Sequence, residues 1–167
     1  LLFTDQIELF IPPKKGKSHI LRIIRELLEF KPKSQKTDLS MALKYLGNVL
    51  KKKAIVFVLS DFISEEYLQS LRIVGKKHDL TGIRVYDPKE EQIPNLGLVP
   101  ILDAETGKIK TVATQSKMVR NAYENYQSER KEYFEESFRK SGCGQISCRV
   151  DESYVKKLLG YFKQRGR

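Results

Sequence analysis

Residues that carry enzyme chemistry are scarce in this chain. Its 167 residues include two histidines, His19 and His78. Neither belongs to a nucleophile motif with a serine or cysteine. The sequence also has no glycine-rich loop of the kind that cradles phosphate. These absences weigh against a Ser-His-Asp or Cys-His enzyme.

Cysteine is equally sparse. Cys143 and Cys148 are separated by four residues, and no histidine lies near them. Two cysteines without histidines make a poor zinc site. A disulfide between them is one alternative, but such low cysteine usage favours a protein of the reducing cytoplasm. Cys148 falls on an apolar face with Ile146 and Val150, which indicates core packing.

Long hydrophobic runs are absent. No apolar stretch approaches the roughly 20 residues that span a bilayer, and no signal peptide is visible. The composition, 40% hydrophobic and 31% charged, is typical of a globular protein. We expect a single domain over residues 1–167 with no membrane segment, located in the cytoplasm.

Positive charge is abundant and unevenly placed. The formal net charge is +10, and residues 1–53 hold 12 Lys/Arg against 5 Asp/Glu. The lysines cluster at residues 14–17, 31–36 and 51–53. Such clusters suit nucleic acid, anionic lipid or an acidic partner, but they also suit solvated loops and helix C-termini. No aromatic residues interleave them, so we expect no specific nucleic-acid site and keep a nucleic-acid-binding module as an alternative.

The order of apolar segments predicts an α/β fold. Residues 54–59 are apolar without alternation, which indicates a strand buried on both faces of a parallel sheet. Further strands are predicted at Leu80–Tyr86 and Gln145–Val150, with helices between them, so we expect a doubly wound, mostly parallel, Rossmann-like sheet. Hairpins are predicted over residues 1–12 and, as an insertion, near 98–112 with its turn at 103–107.

Helix starts are marked by capping residues. Ser18, Ser64 and Asp151 are the expected N-caps of helices. The first of these helices places Ile20, Ile24, Leu27 and Leu28 on one face. A helix from about Asp38 to Leu50 and a long helix from Ser116 to about Lys140 complete the pattern.

Polar oxygen ligands are predicted to meet at one edge of the sheet. Asp61 follows the strand at 54–60, and Thr37 lies on the loop that enters the preceding helix. Carboxyl ends of parallel strands bound the usual ligand crevice, and hydroxyl and carboxylate oxygens suit Mg²⁺ or Mn²⁺. Thr37 or Asp38 also fits a simple helix cap. Asp61 and Asp87 together fit a metal-dependent phosphoesterase, although Asp87 before Pro88 favours a turn role.

Several segments resemble a known family. Thr37-Asp38-Leu39 with Ala42-Leu43, and Val58-Leu59-Ser60-Asp61, resemble the second and third metal-site segments of von Willebrand factor A-type domains. The wider chain resembles the bacterial domain of unknown function 58 family. The matching pieces, in order, are LLFTDQIELFIPPKKGKSHILRIIREL, TDLSMALKYL, IVFVLSDF and GIRVYDPKEEQIPNLGLVPILDAETGK.

One motif of the A-type domains is absent. Their first strand ends in Asp-x-Ser-x-Ser and supplies most metal ligands, whereas this chain starts at a segment that resembles the second strand. We therefore expect a domain truncated at its N-terminus, with a partial site of Thr37 and Asp61, no cofactor in this fragment, and Mg²⁺ or Mn²⁺ only in a full-length parent. By the same resemblance the first strand would lie between residues 1–4 and 54–60. We expect that gap not to close, which leaves a homodimer open.

The resemblance also implies a function. Relatives are thought to work beside MoxR-type AAA+ ATPases in complex assembly or maturation, and they often carry membrane helices upstream, which allows a membrane-anchored parent. We expect a non-enzymatic protein-interaction module whose contact face holds Thr37, Asp38, Asp61 and Phe62.

Overall fold

The computed structural model describes residues 1–64, 66–102 and 107–165. The strands are β1 (Leu2–Phe3), β2 (Ile7–Leu9), β3 (Ile55–Ser60), β4 (Asp79–Tyr86), β5 (Leu98–Leu102), β6 (Ile109–Ala113) and β7 (Gly144–Arg149). The helices are α1 (Lys17–Glu29), α2 (Leu39–Val49), α3 (Leu68–Lys77), α4 (Lys117–Lys140) and α5 (Tyr154–Arg165), with a short 3-10 helix at Pro88–Glu90.

Three parallel strands form the central sheet in the order β3-β4-β7. Val56 lies opposite Leu80 in the first ladder, and Ile83 lies opposite Ile146 in the second. Helix α3 connects β3 to β4, and α4 leads into β7, so the predicted parallel α/β architecture is confirmed. β3 is an edge strand of this sheet.

Two antiparallel hairpins lie outside the sheet. β1 pairs with β2, and β5 pairs with β6 with Leu98 opposite Ala113. The hairpin predicted near 98–112 is therefore confirmed, while its predicted turn lies outside the described residues apart from Gly107. β1 does not pair with β3, so the gap between these two segments stays open, as expected.

The main core lies between one face of the sheet and helices α2, α3 and α4. It contains Leu39, Leu43, Val56, Phe62, Tyr67, Leu71, Val74, Leu80, Phe134 and Phe138. Leu46 and Leu50 are half-buried against this cluster. The amphipathic spacing of the helices thus places most of their apolar side chains as the sequence predicts.

The opposite face of the sheet is only partly covered. Leu158 and Tyr161 of α5 pack there against Ile83, Ile146 and Cys148. The expectation that β3 is buried on both faces was wrong, because α5 does not reach all of it. The side chains of Ile55, Phe57 and Leu59 are 69%, 42% and 62% exposed, although Phe57 contacts Phe162 edge to face.

Helix α1 has an apolar face without a covering element. Its side chains at Ile20, Leu21, Ile24, Leu27 and Leu28 are exposed, Leu28 to 82%. None of its residues is buried. The hydrophobic periodicity therefore identified the helix correctly, but nothing in the described part of the chain buries its apolar face.

The predicted capping residues were wrong at three helices. Gly16 precedes α1, Tyr67 precedes α3, and α5 begins at Tyr154. Ser64 instead links two loops, and Asp151 pairs with Arg149 at 2.8 Å. A capping residue is only a local signal, and at α3 a tertiary contact is made instead, because the Tyr133 hydroxyl accepts from the N–H groups of Tyr67 and Leu68.

Candidate functional site

The loops at the carboxyl end of β3 are held together by hydrogen bonds. The backbone N–H of Asp38 donates to the carbonyl oxygen of Thr4 at 3.0 Å. The Ser64 hydroxyl donates to the carbonyl oxygen of Thr37 at 3.4 Å, and its oxygen accepts from the N–H of Leu39 at 3.2 Å. The end of β1, the start of α2 and the loop after β3 therefore meet at one rim.

The acidic residues of this rim also serve local structure. An oxygen of Asp38 accepts from the N–H of Met41 at 2.8 Å, which caps α2. Asp61 is exposed, and its Oδ1 accepts from the N–H of Ile63 at 3.0 Å. The cap predicted at Thr37 or Asp38 is thus made by Asp38, and Asp61 stabilises the turn that follows β3.

A large apolar groove opens at the same rim. Its volume is about 710 Å³, and it lies between β1 and β3. The lining residues come from the β1 segment, α1, α2 and β3, and include Leu2, Phe3, Leu27, Phe30, Thr37, Leu39, Ala42, Leu43, Leu46, Val56, Val58, Ser60 and Asp61. Thr37 and Asp61, the two predicted metal ligands, therefore line one cavity.

One wall of the groove is the open edge of β3. The N–H of Asp79 donates to the carbonyl oxygen of Ala54 at 2.9 Å. In a parallel ladder this bond places the backbone groups of even-numbered β3 residues toward β4 and those of odd-numbered residues, Ile55, Phe57 and Leu59, toward the open edge. The edge thus presents three N–H and three C=O groups without a strand partner among the described residues.

Phe62 must be removed from the predicted contact face. Its side chain is 2% exposed. The ring packs 4.5 Å from that of Phe134 and 5.3 Å from that of Phe138, between centroids. Its backbone has a φ of 60°, a left-handed conformation that is uncommon for a bulky residue. Phe62 is an aromatic centre of the core and is not available to a partner.

The donor set does not fit a complete Mg²⁺ or Mn²⁺ site. Thr37, Ser60 and Asp61 line the same cavity and offer two hydroxyl oxygens and one carboxylate. Such ions take roughly six oxygen ligands, often with more than one carboxylate. Within the described ranges no three His, Cys, Asp or Glu side chains come together as a metal-binding group. We therefore derive no chemistry through a metal here.

Asp87 is engaged at the end of β4. Its Oδ1 accepts from the N–H of Lys89 at 2.9 Å and caps the 3-10 helix. The turn role favoured by the following Pro88 is thereby confirmed. Asp87 does not line the groove that holds Asp61.

Two side chains near the rim were missed by the sequence reasoning. The Tyr133 hydroxyl accepts from the N–H groups of Tyr67 and Leu68, at 2.9 and 3.3 Å, and so caps α3. Arg84 is 6% exposed in β4, with its guanidinium 4.3 Å from the centroid of Tyr86. The signal for Arg84 was available, since it is the one charged residue in the predicted strand Leu80–Tyr86. Burial raises the pKa of the neighbouring Tyr67 hydroxyl, so Tyr67 stays neutral.

Comparison with known proteins defines the class. The molecule is an α/β protein with a parallel sheet and an open edge at its candidate site. The chain belongs to the family described as Protein of unknown function DUF58, which matches residues 1–133. The family relationship predicted from the motifs is confirmed.

Three similar mycobacterial proteins are described as uncharacterized. An uncharacterized protein of Mycobacterium tuberculosis and one of Mycobacterium bovis are each 21% identical over 160 residues, which is 94% of this chain and 50% of theirs. The chain thus spans about half the length of these relatives. A Mycobacterium avium protein is 21% identical over 94% of both chains.

One solved structure is similar in part. The crystal structure of the conserved hypothetical protein BatB from Bacteroides thetaiotaomicron aligns with a TM-score of 0.48 at 12% identity. The alignment covers 87% of this chain and 68% of BatB.

Over the described residues, no helix is long and apolar enough to cross a membrane.

Proposed function

We propose that this chain is a non-enzymatic protein-interaction module of von Willebrand factor A-like fold. It binds an extended segment of a partner protein in the groove between β1 and β3, the position that the A-type resemblance assigns to a first strand. The observation that carries the proposal is the open apolar edge of β3, which forms one wall of that groove. The cytoplasmic location expected from the sequence belongs to the same proposal.

The backbone of β3 determines the kind of ligand. The outward N–H and C=O groups of Ile55, Phe57 and Leu59 are spaced to pair with another strand. A small apolar molecule would cover these groups without satisfying them, which is unfavourable. An added β-strand satisfies them through main-chain bonds, the mode called β-augmentation.

The walls of the groove determine the side chains of that strand. Apolar residues of α1, α2 and β1 line it together with β3. A strand in this position would contact apolar groups on both of its faces. We therefore expect a segment that is continuously apolar over about five or six residues, the ordinary length of a strand.

The exposed side chains of β3 add to the binding energy. Leu59 lines the groove and is 62% exposed. Fully burying such a side chain contributes about 1.5–3 kcal/mol, so covering the exposed part contributes about 1–2 kcal/mol. A lysine at Leu59 would lose this term and would place a charge against an apolar ligand.

The partner class follows from the family resemblance. We infer a MoxR-type AAA+ ATPase, which this module would assist in complex assembly or maturation. Thr37, Asp38 and Asp61 lie at the mouth of the groove and would contact the partner next to the inserted strand. The exposed Asp61 carboxylate favours a basic or hydrogen-bond-donating group there.

The proposal is tested by measuring binding to a purified MoxR-type AAA+ ATPase. Isothermal titration calorimetry compares the unmodified chain with Leu59→Lys and with Leu98→Lys. Leu98 in β5 is 67% exposed, so it matches Leu59 in exposure and chemistry but lies away from the groove. We expect Leu59→Lys to weaken binding at least tenfold and Leu98→Lys to change it less than twofold.

Hydrogen exchange identifies the mode of binding. The amides of Phe57 and Leu59 should exchange fast in the free chain and slow down in the complex. Equal weakening by both variants, or no slowing of these amides, contradicts the proposal. A dimer of the chain alone that dissociates in Leu59→Lys, seen by light scattering, would show that a second copy occupies the groove instead.

A further inference from the structure

A second cavity lies at the end of the sheet opposite Asp61, where α2 and α3 end and β3 and β4 begin. Its volume is about 430 Å³, within the range of small-molecule sites. Its lining consists of Gly47, Asn48, Leu50, Lys51, Lys52, Lys53, Lys77 and His78. No carboxylate belongs to this lining as far as the structure describes it.

The charge around this cavity exceeds what the helix ends require. Leu50 is the C-cap of α2 and His78 is the C-cap of α3. Each helix C-terminus carries about half a negative charge, so the two together offset about one of the four lysine charges. The nearest acidic residue in sequence, Asp79, forms an ion pair with Arg165. An excess of about three positive charges therefore remains around the cavity.

His78 provides an independent indication of a ligand. Its side chain is 4% exposed, and neither ring nitrogen has a hydrogen-bond partner in the part of the chain that the structure describes. Its backbone N–H donates to the carbonyl oxygen of Val74 at 2.9 Å, so only the imidazole is without a partner. A buried imidazole with both nitrogens unbonded is unfavourable, and a phosphate oxygen that accepts from its N–H would remove part of that cost.

We propose that this cavity is a binding site for a compact polyphosphate anion. Lysine ammonium groups bind phosphate oxygens as mobile point charges, and here they come from two separate segments, residues 51–53 and Lys77. The imidazole of His78 donates a hydrogen bond to a phosphate oxygen at the base of the cavity.

The lining also restricts which chemical groups can be attached to the phosphate chain. Among the described residues that line the cavity, the His78 imidazole is the only ring, so they offer no platform on which a nucleobase would stack. The recognised chemistry is thus the phosphate chain itself. This site is independent of the groove, and it is not needed for the proposed function.

The test is calorimetric titration of the 167-residue chain with sodium tripolyphosphate, without divalent metal and at 150 mM salt. The variant Lys52→Gln/Lys77→Gln removes one ammonium from each segment of the site. The control Lys14→Gln/Lys15→Gln removes the same charge from an exposed loop that does not line the cavity. We expect the first pair to weaken binding about tenfold and the control to weaken it less than twofold.

Imidazole NMR resonances give a second readout that requires no substitution. The chain has two histidines, and His19 accepts a hydrogen bond from the N–H of Lys14 away from the cavity. Saturation with tripolyphosphate should shift the ring signals of His78 and leave those of His19 in place.

Four outcomes overturn the proposal. The first is no binding at millimolar tripolyphosphate. The second is equal weakening by both double variants, which indicates adhesion through net charge. The third is binding without a shift at His78. A parallel titration with ATP separates the sources of the phosphate chain. An ATP affinity within about threefold of the tripolyphosphate affinity supports recognition of phosphate alone. ATP binding more than tenfold tighter than tripolyphosphate refutes the proposal.

Discussion

Replacing Tyr133 with phenylalanine tests whether one hydroxyl on α4 holds the start of α3. The Tyr133 oxygen accepts from the backbone N–H groups of Tyr67 and Leu68, at 2.9 and 3.3 Å. No side chain of the N-cap residue itself makes such a bond. The phenylalanine would keep the ring contact with Tyr67, whose centroid lies 5.0 Å away. Only the two hydrogen bonds are lost.

The expected cost follows from the role of the hydroxyl as a helix cap. Removing a capping side chain costs about 0.5–2 kcal/mol, and here two partly buried N–H groups lose their acceptor at once. We therefore expect the free energy of unfolding to fall by about 1.5 kcal/mol. For a chain of this size the melting temperature should fall by about 3–6 °C.

Urea unfolding, monitored by circular dichroism, measures this cost, with Tyr126→Phe as the matched control. Tyr126 is on the same helix, is 46% exposed and lies beneath the guanidinium of Arg130 at 4.4 Å. That control should change stability by less than 0.5 kcal/mol, as surface substitutions do, with an unchanged urea slope in both variants. Equal stability of the two variants would refute the argument that Tyr133 caps α3.

Three further predictions concern packing, metal and thiol chemistry. Gly82→Ala should destabilise the chain by about 1–3 kcal/mol in urea, because its Cβ would lie 2.4 Å from ring atoms of Phe138, whereas Gly160→Ala has open space and should not destabilise it. Calorimetric titration with Mg²⁺ should reveal no low-micromolar site. A low-micromolar site that Asp61→Ala abolishes would contradict the inference that the donor set is incomplete. Burial raises the pKa of the Cys143 thiol, so iodoacetamide should alkylate it more slowly at pH 7 than it alkylates glutathione. The rate should increase as the pH rises above the ordinary thiol pKa. Equal rates for Cys143 and glutathione at pH 7 would contradict this.

Local signals in the sequence were sufficient for most of the fold. The continuous apolar run at 54–59 identified β3, and Asp38 was placed correctly at the start of α2. The hairpin that contains β5 was visible because two apolar segments flank a turn-forming stretch. In each case the pattern and the structure depend on residues that are neighbours along the chain.

Non-local signals account for the errors. Ser64 has the composition of a cap, but its hydroxyl bonds to the loop before α2 and the acceptor for α3 comes from Tyr133, more than sixty residues away. Phe62 follows an aspartate at a strand end and was therefore expected at the surface. Its ring is buried because α4 places Phe134 and Phe138 above it, a contact that no local pattern encodes.

The candidate site was predictable in its location but not in its shape. Parallel strands bring their carboxyl ends to one rim, so Thr37 and Asp61 could be placed together from the sequence. The groove beside β3 exists because no described element covers the edge of that strand. That depends on the packing of α1, α2 and β1 against one another, which the spacing of apolar residues does not determine.

The two proposed sites lie at opposite ends of β3, and this separates their tests. Leu59 and Lys53 are six residues apart on a nearly extended chain, about 20 Å at 3.3 Å per residue. Substitutions more than about 10 Å apart that share no partners act independently. Leu59→Lys should therefore leave tripolyphosphate affinity unchanged, and Lys52→Gln/Lys77→Gln should leave partner affinity unchanged. If either variant alters binding at the other site more than about threefold, then β3 transmits the state of one end to the other, and the two sites form one coupled device.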